Sequence, residues 1–156
     1  MATVKVSSDI GAPVDVVFAC FTDIQEAAEH VSGIKKIELL TPGPFSLGTR
    51  WRETRELLGR EDDAEMEVTA FEKNRSYTIT HTKAGVTITA TFLFEPIAVA
   101  STRASIEFAM HGSGLPPGLL APLEWAIAGR VRDVLARDLE DLRAAAGTAA
   151  ARWSYS

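Results

Sequence analysis

The chain has 156 residues, 46% hydrophobic and 24% charged, a mix that suits one globular domain with a sizeable core. Its net charge of −5 and pI near 5.2 count against a nucleic-acid binder, which would carry a basic stripe. No apolar run has the length of a membrane span, and Cys20, the sole cysteine, can form neither an internal disulfide nor a thiolate metal cluster.

The opening MATVKVSSDI lacks the basic and apolar regions of a signal peptide, which with the lone cysteine predicts a cytoplasmic protein. Residues 3–10 alternate around Val4, Val6 and Ile10 and read as a strand. Pro13 opens a short helix with Val14, Val17, Phe18 and Phe21 on one face. Asp23-Ile24-Gln25-Glu26 has the form of a capping box before a second short helix, which Gly33 is placed to stop. A strand over Ile34 to Leu40 leads into the turn-rich TPGPF.

GTRWRETRELLG, residues 48–59, is unusual. Its odd positions hold Trp51 and Leu57 and so face inward, but they carry Glu53 and Arg55 inward too. Four further strands follow, each with one apolar face: Met66, Val68 and Ala70; Tyr77, Ile79 and His81; Val86, Ile88, Ala90, Phe92 and Phe94; Ala104, Ile106, Phe108 and Met110. From about Pro117 to Arg143 the spacing becomes helical, with Leu120, Leu123, Ile127, Val131, Val134 and Leu142 in one stripe. The predicted class is α+β: a curved seven-stranded antiparallel sheet wrapped around a long C-terminal helix, with two short helices after strand 1. One domain is expected over 1–146, with 147–156 a frayed tail because Gly147 interrupts the alanine-rich helix.

This element order resembles the helix-grip fold of the SRPBCC superfamily, also called START-like or Bet v 1-like, of polyketide cyclase/dehydrase and lipid-transport type. The resemblance rests on VSSDIGAPVDVVFACFTD, VSGIKKIELL, GTRWRETRELLGRE, VTAFEKNRSYTI and DVLARDLEDLR. It implies a cavity between sheet and last helix, its mouth formed by the 58–61, 83–86 and 110–117 connections.

A Gly59-Arg60 hairpin turn would set Trp51 opposite Val68, Glu53 opposite Met66 and Arg55 opposite Ala64. Turns at Lys73-Asn74 and Ala84-Gly85 would then align Glu53, Met66, His81 and Ile88 in one row, leaving Glu53 and His81 roughly 10 Å apart. Inward charges must be paired or face a wet cavity. Two readings of Glu53 and Arg55 stay open: an ion pair closing the rim, or a polar anchor for a ligand carbonyl, carboxylate or hydroxyl. Arg52 and Glu67 are expected to face each other outside.

Under the resemblance, the ligand walls are Trp51, Met66 and Val68, then Tyr77, Ile79 and Ile88, then Phe92 and Phe108, with Leu123 and Ile127 from the helix. Glu53, Arg55 and His81 would orient a polar group. The function implied is binding of a small hydrophobic molecule, lipid-, polyketide- or isoprenoid-like. One alternative is a cyclase/dehydratase-type enzyme using Glu53, His81 and Arg55, with His81 the candidate general base because histidine is the residue type that most often plays that part. Another is a cochaperone-like protein-binding module with a filled core and an exposed apolar patch. No cofactor or metal is expected, since His30 and His111 lack ligand spacing. HGSGLPPG is a candidate lid, Cys20 reads as a packed small hydrophobe, and monomer and homodimer are both open.

Overall fold

The computed structural model describes the backbone of residues 2–57, 59–83, 85–112 and 121–154, and their side chains except at 2, 57, 121–128, 153 and 154. The strands are β1 (Ala2–Ile10), β2 (Ile34–Leu39), β3 (Arg50–Leu57), β4 (Arg60–Glu72), β5 (Ser76–Lys83), β6 (Val86–Ala98) and β7 (Ser101–Gly112). Between β1 and β2 lie α1 (Val14–Phe21) and a 3-10 turn (Ile24–Glu26) that runs into α2 (Ala27–His30); α3 (Ala121–Ser154) ends the chain. The sheet is antiparallel throughout, in the order β1-β7-β6-β5-β4-β3-β2. The predicted α+β architecture, seven strands with a long C-terminal helix, is the one observed. Among the described residues no helix is long and apolar enough to cross a membrane.

Period-2 alternation puts Val4 and Ile10 of β1 inside with Ala104 and Ile106 of β7. In α1, Val17, Phe18 and Phe21 share the buried face. Pro13 precedes the helix, and its carbonyl accepts the Val17 N–H at 3.0 Å, while the Thr22 hydroxyl donates to the Phe18 carbonyl at 2.8 Å. These rings close one end of the sheet. Phe18 meets Phe94 edge-on at 5.2 Å, Phe45 meets Tyr77 at 4.9 Å, and Tyr77 stacks on Phe92 at 4.6 Å. Such pairs contribute about 0.5–1.5 kcal/mol each beyond the area they bury.

Four local readings are corrected. The β3–β4 register lies two residues from the expected one: Trp51 is opposite Met66, Glu53 opposite Ala64 and Arg55 opposite Asp62. The hairpin closes between Leu57 and Arg60, with Gly59 at φ +78°, so glycine takes the second central position rather than the first. A two-residue slide keeps every side chain on its face, so the apolar pattern could not detect it. Arg52 consequently lies opposite Glu65, and it bonds Glu38 of β2 at 3.1 Å.

In β4 a bulge between Val68 and Ala70 swaps the faces, so Ala70 is exposed and Phe71 turns inward against Phe18. The same bulge offsets a longer β4–β5 turn, closed by Glu72 and Ser76 with Asn74 at φ 60°, and Val68 still meets Ile79. Asp23 makes no capping bond; its ψ of 79° falls short of the extended conformation an N-cap takes.

Finally, α3 runs through Gly147 to Ser154. A helical glycine costs about 1 kcal/mol against alanine. Here the flanking Ala146, fully buried, and Ala150 pack on the core and hold the helix together.

Candidate ligand-binding site

The concave face of the sheet has two zones. At the closed end Trp51, Val68 and Tyr77 are 1%, 1% and 2% exposed, packed on all sides. Met66, Ile79, Ala90 and Phe92 lie half-buried against that core. Further along the same face, Val86 and Ile88 of β6 and Phe108 and Met110 of β7 are half-buried and stand outside the core cluster. Their register is tight: Ile88 faces Met110, and Ala90 faces Phe108. His81, opposite Ile88, is half-buried in the same zone, and its Nδ1 lies 3.0 Å from the Glu65 carbonyl oxygen. The β3–β4, β5–β6 and β7 ends converge beside this zone. The side chains of Leu123 and Ile127, and the 113–118 part of HGSGLPPG, lie outside the described residues, as does Leu120.

Glu53 and Arg55 do point inward, and each is already engaged. The Arg55 Nε–H donates to Glu53 Oε2 at 2.5 Å, and the Trp51 indole N–H donates to Glu53 Oε1 at 3.3 Å. The other side of the guanidinium, Nη2, pairs with Asp138 Oδ2 of α3 at 2.9 Å. Glu53 and Asp138 are each 6% exposed, and the Arg55 side chain is 21% exposed. One guanidinium thus ties β3 to α3 through two carboxylates, leaving one net negative charge in the interior.

The electrostatics follow from that count. Burial alone would weaken the hold of Arg55 on its proton, but the Glu53 and Asp138 carboxylates outweigh it and the guanidinium is held well above its ordinary range. Burial pushes the Asp138 carboxyl above its ordinary value of 3.8, against the pull of Arg55. Its Oδ1 is buried and has no hydrogen-bond partner. Gly33 leaves room for the cluster: a Cβ there would meet Arg137 Nη2 at 3.1 Å and Arg55 Nη1 at 3.3 Å.

Because Glu53 sits opposite Ala64 instead of Met66, it is displaced along the sheet from His81. Of the expected row, His81 and Ile88 lie opposite each other and the β4–β5 register carries Met66 beside His81, but Glu53 falls outside it, and His81 bonds the Glu65 backbone. Among the described residues no group of three His, Cys, Asp or Glu side chains could hold a metal ion. Burial, aided by nearby Asp23, pushes the half-buried Cys20 thiol up, which disfavours the reactive thiolate.

Asp138 was missed by sequence reasoning, although a signal existed. The apolar stripe Ile127, Val131, Val134, Leu142 skips one position, and position 138 fills that gap with a carboxylate. An acidic residue on a buried helical stripe calls for a cation on the facing element.

No curated protein matches this chain in sequence. Among solved structures, TTHA0849 from Thermus thermophilus superposes with a TM-score of 0.78 at 15% identity, covering 94% of this chain and 98% of that one. The Zhui aromatase/cyclase from Streptomyces sp. R1128 gives 0.74 at 15% identity, with 92% of each chain covered. A START superfamily protein from Mycobacterium smegmatis gives 0.69 at 14%, covering 98% of this chain and 99% of that one. At these identities the likeness establishes the fold. The sequence of residues 1–147 matches the family described as polyketide cyclase / dehydrase and lipid transport, and the chain belongs to that family.

Proposed function

We propose that this protein binds a small, largely apolar molecule between the open end of its sheet and α3. Family and fold are consistent with hydrophobic-ligand binding or with polyketide-cyclase-type function. The observation that carries the reading is the contrast along one apolar face. Val86, Ile88, Phe108 and Met110 are left half-buried, while the residues behind them are packed to completion. A domain of this size has enough apolar side chains to fill that space, and a partly open apolar face suits a ligand that completes it.

In this reading Ile79, Ile88, Ala90, Phe92, Phe108 and Met66 form the walls, and Trp51, Val68 and Tyr77 form the floor. His81 is the polar side chain best placed to meet a ligand hydroxyl or carbonyl. Arg55 and Glu53 serve the site indirectly, by clamping β3 to α3, since their hydrogen-bonding groups are directed at each other and at Asp138.

A second reading, turnover of the bound molecule, is favoured by the family description and by the aromatase/cyclase among the structural neighbours. In that case His81 would move the proton. Native mass spectrometry of the purified protein, followed by extraction after denaturation, tests binding. A copurifying apolar compound, or uptake of one from a panel of long-chain alcohols, isoprenoids and aromatic polyketides, supports the proposal; refusal of every member sinks it. Conversion of a bound member into a product lost in His81→Ala would establish the second reading.

A further inference from the structure

α1, the residues after it, α2 and the C-terminal half of α3 line an open groove of about 760 Å³. Its floor is small and apolar, with Val16 and Ala19 from α1 facing Ala145 and Ala149 of α3. Its rim is mostly acidic: Asp15, Asp23, Glu29 and Asp141 line it, with His30 and Arg152 the basic side chains among them. None of these carboxylates has an ion-pair partner among the described residues. Asp141 accepts the Ser32 N–H and hydroxyl on Oδ2, both at 3.0 Å, which leaves its other oxygen open.

The complement to this groove is on the same helix. Arg130, Arg132 and Arg137 of α3 are exposed and likewise lack ion-pair partners among the described residues. Steps of three and four residues put Arg130, Val134 and Arg137 in line with Asp141, Ala145 and Thr148. One face of α3 therefore carries Arg130 and Arg137, with Asp133 beside them, in its first half, and Asp141 with small side chains in its second.

We infer that the groove receives the first half of α3 from a second copy of this chain, in a two-fold antiparallel helix pair. Such a pairing is isologous, so each contact occurs twice. Arg137 of each copy meets Asp141 of the other, and Arg130 lies against Thr148 and the acidic rim. The alanines at 144, 145 and 149 let the two helices approach closely, and the overlap from 130 to 148 spans roughly 27 Å of helix. The half-buried Val134 then covers the groove floor.

Sedimentation equilibrium on the full chain, at low and high salt, tests the pairing. A dimer is expected whose dissociation constant rises about tenfold or more with salt, because its contacts are charged and rim-exposed. Arg130→Glu, at an exposed position with no ion-pair partner among the described residues, should weaken it by about tenfold. Arg137→Glu should do the same, and adding Asp141→Arg to it should restore the dimer. A monomer up to the highest soluble concentration, whether or not a basic partner is later found, overturns the inference. So does a dimer that neither Arg130→Glu nor the charge swap alters.

Discussion

The two ends of the concave face carry the same kind of side chain and behave differently. At the closed end, Phe18, Phe45, Tyr77 and Phe94 interlock, and Trp51 and Val68 are sealed beneath them. At the open end, Ile88, Phe108 and Met110 are as apolar but only half-covered. The difference lies in what faces them. The closed end has α1 laid across it, supplying three buried residues from an eight-residue helix. Among the described residues, the elements beside the open end are the ends of the β3–β4 and β5–β6 hairpins. Hydrophobic residues thus indicate which face is inward, while how far that face is buried depends on what packs against it.

The Arg55 cluster ties β3 to α3, and its loss should be among the largest effects. Arg55→Ala leaves the Glu53 and Asp138 carboxylates buried without their cation and should cost about 3–5 kcal/mol in urea unfolding. Phe94→Ala at the closed end should cost about 3–5 kcal/mol as well, by leaving a cavity among packed rings. Phe108→Ala at the open end should cost clearly less, about 1 kcal/mol, since its surroundings are not closed. Equal costs for the two phenylalanines would erase the distinction between the ends.

Asp138 makes a pH prediction. Its folded pKa is raised, so the folded state holds the proton more tightly than the unfolded chain. Its contribution to stability is then greatest at pH below 3.8 and is lost as pH rises from there through the raised folded value. Asp138→Asn should remove that slope from stability measured against pH, while other carboxylates, such as Asp9 held low by Arg103, keep the opposite one. The smallest effect is expected for Gly33→Ala. Its methyl would meet the far ends of two arginine side chains, which can shift, so the cost should stay near 1 kcal/mol or below.

Much of this was legible in the sequence. Period-2 alternation and the helical stripe fixed the class and the inward faces, including those of Glu53 and Arg55. What they could not fix was position along a strand. A two-residue slide in β3–β4 preserves every face, and it is this slide that parts Glu53 from His81. The bulge that exchanges Ala70 for Phe71 leaves no mark in composition. The partner of Arg55 was hidden for another reason: Asp138 is 83 residues further along the chain, and only the fold brings it to β3.

The most direct test of the account is titration of the wild type and of Ile88→Trp with a neutral apolar fluorophore, the variant filling the open end while leaving the closed end intact. One probe bound per chain, with affinity lower by about tenfold or more in Ile88→Trp and unfolding midpoints alike, is the predicted result. Equal affinity in both proteins, or no binding to either, would contradict a ligand cavity at the open end.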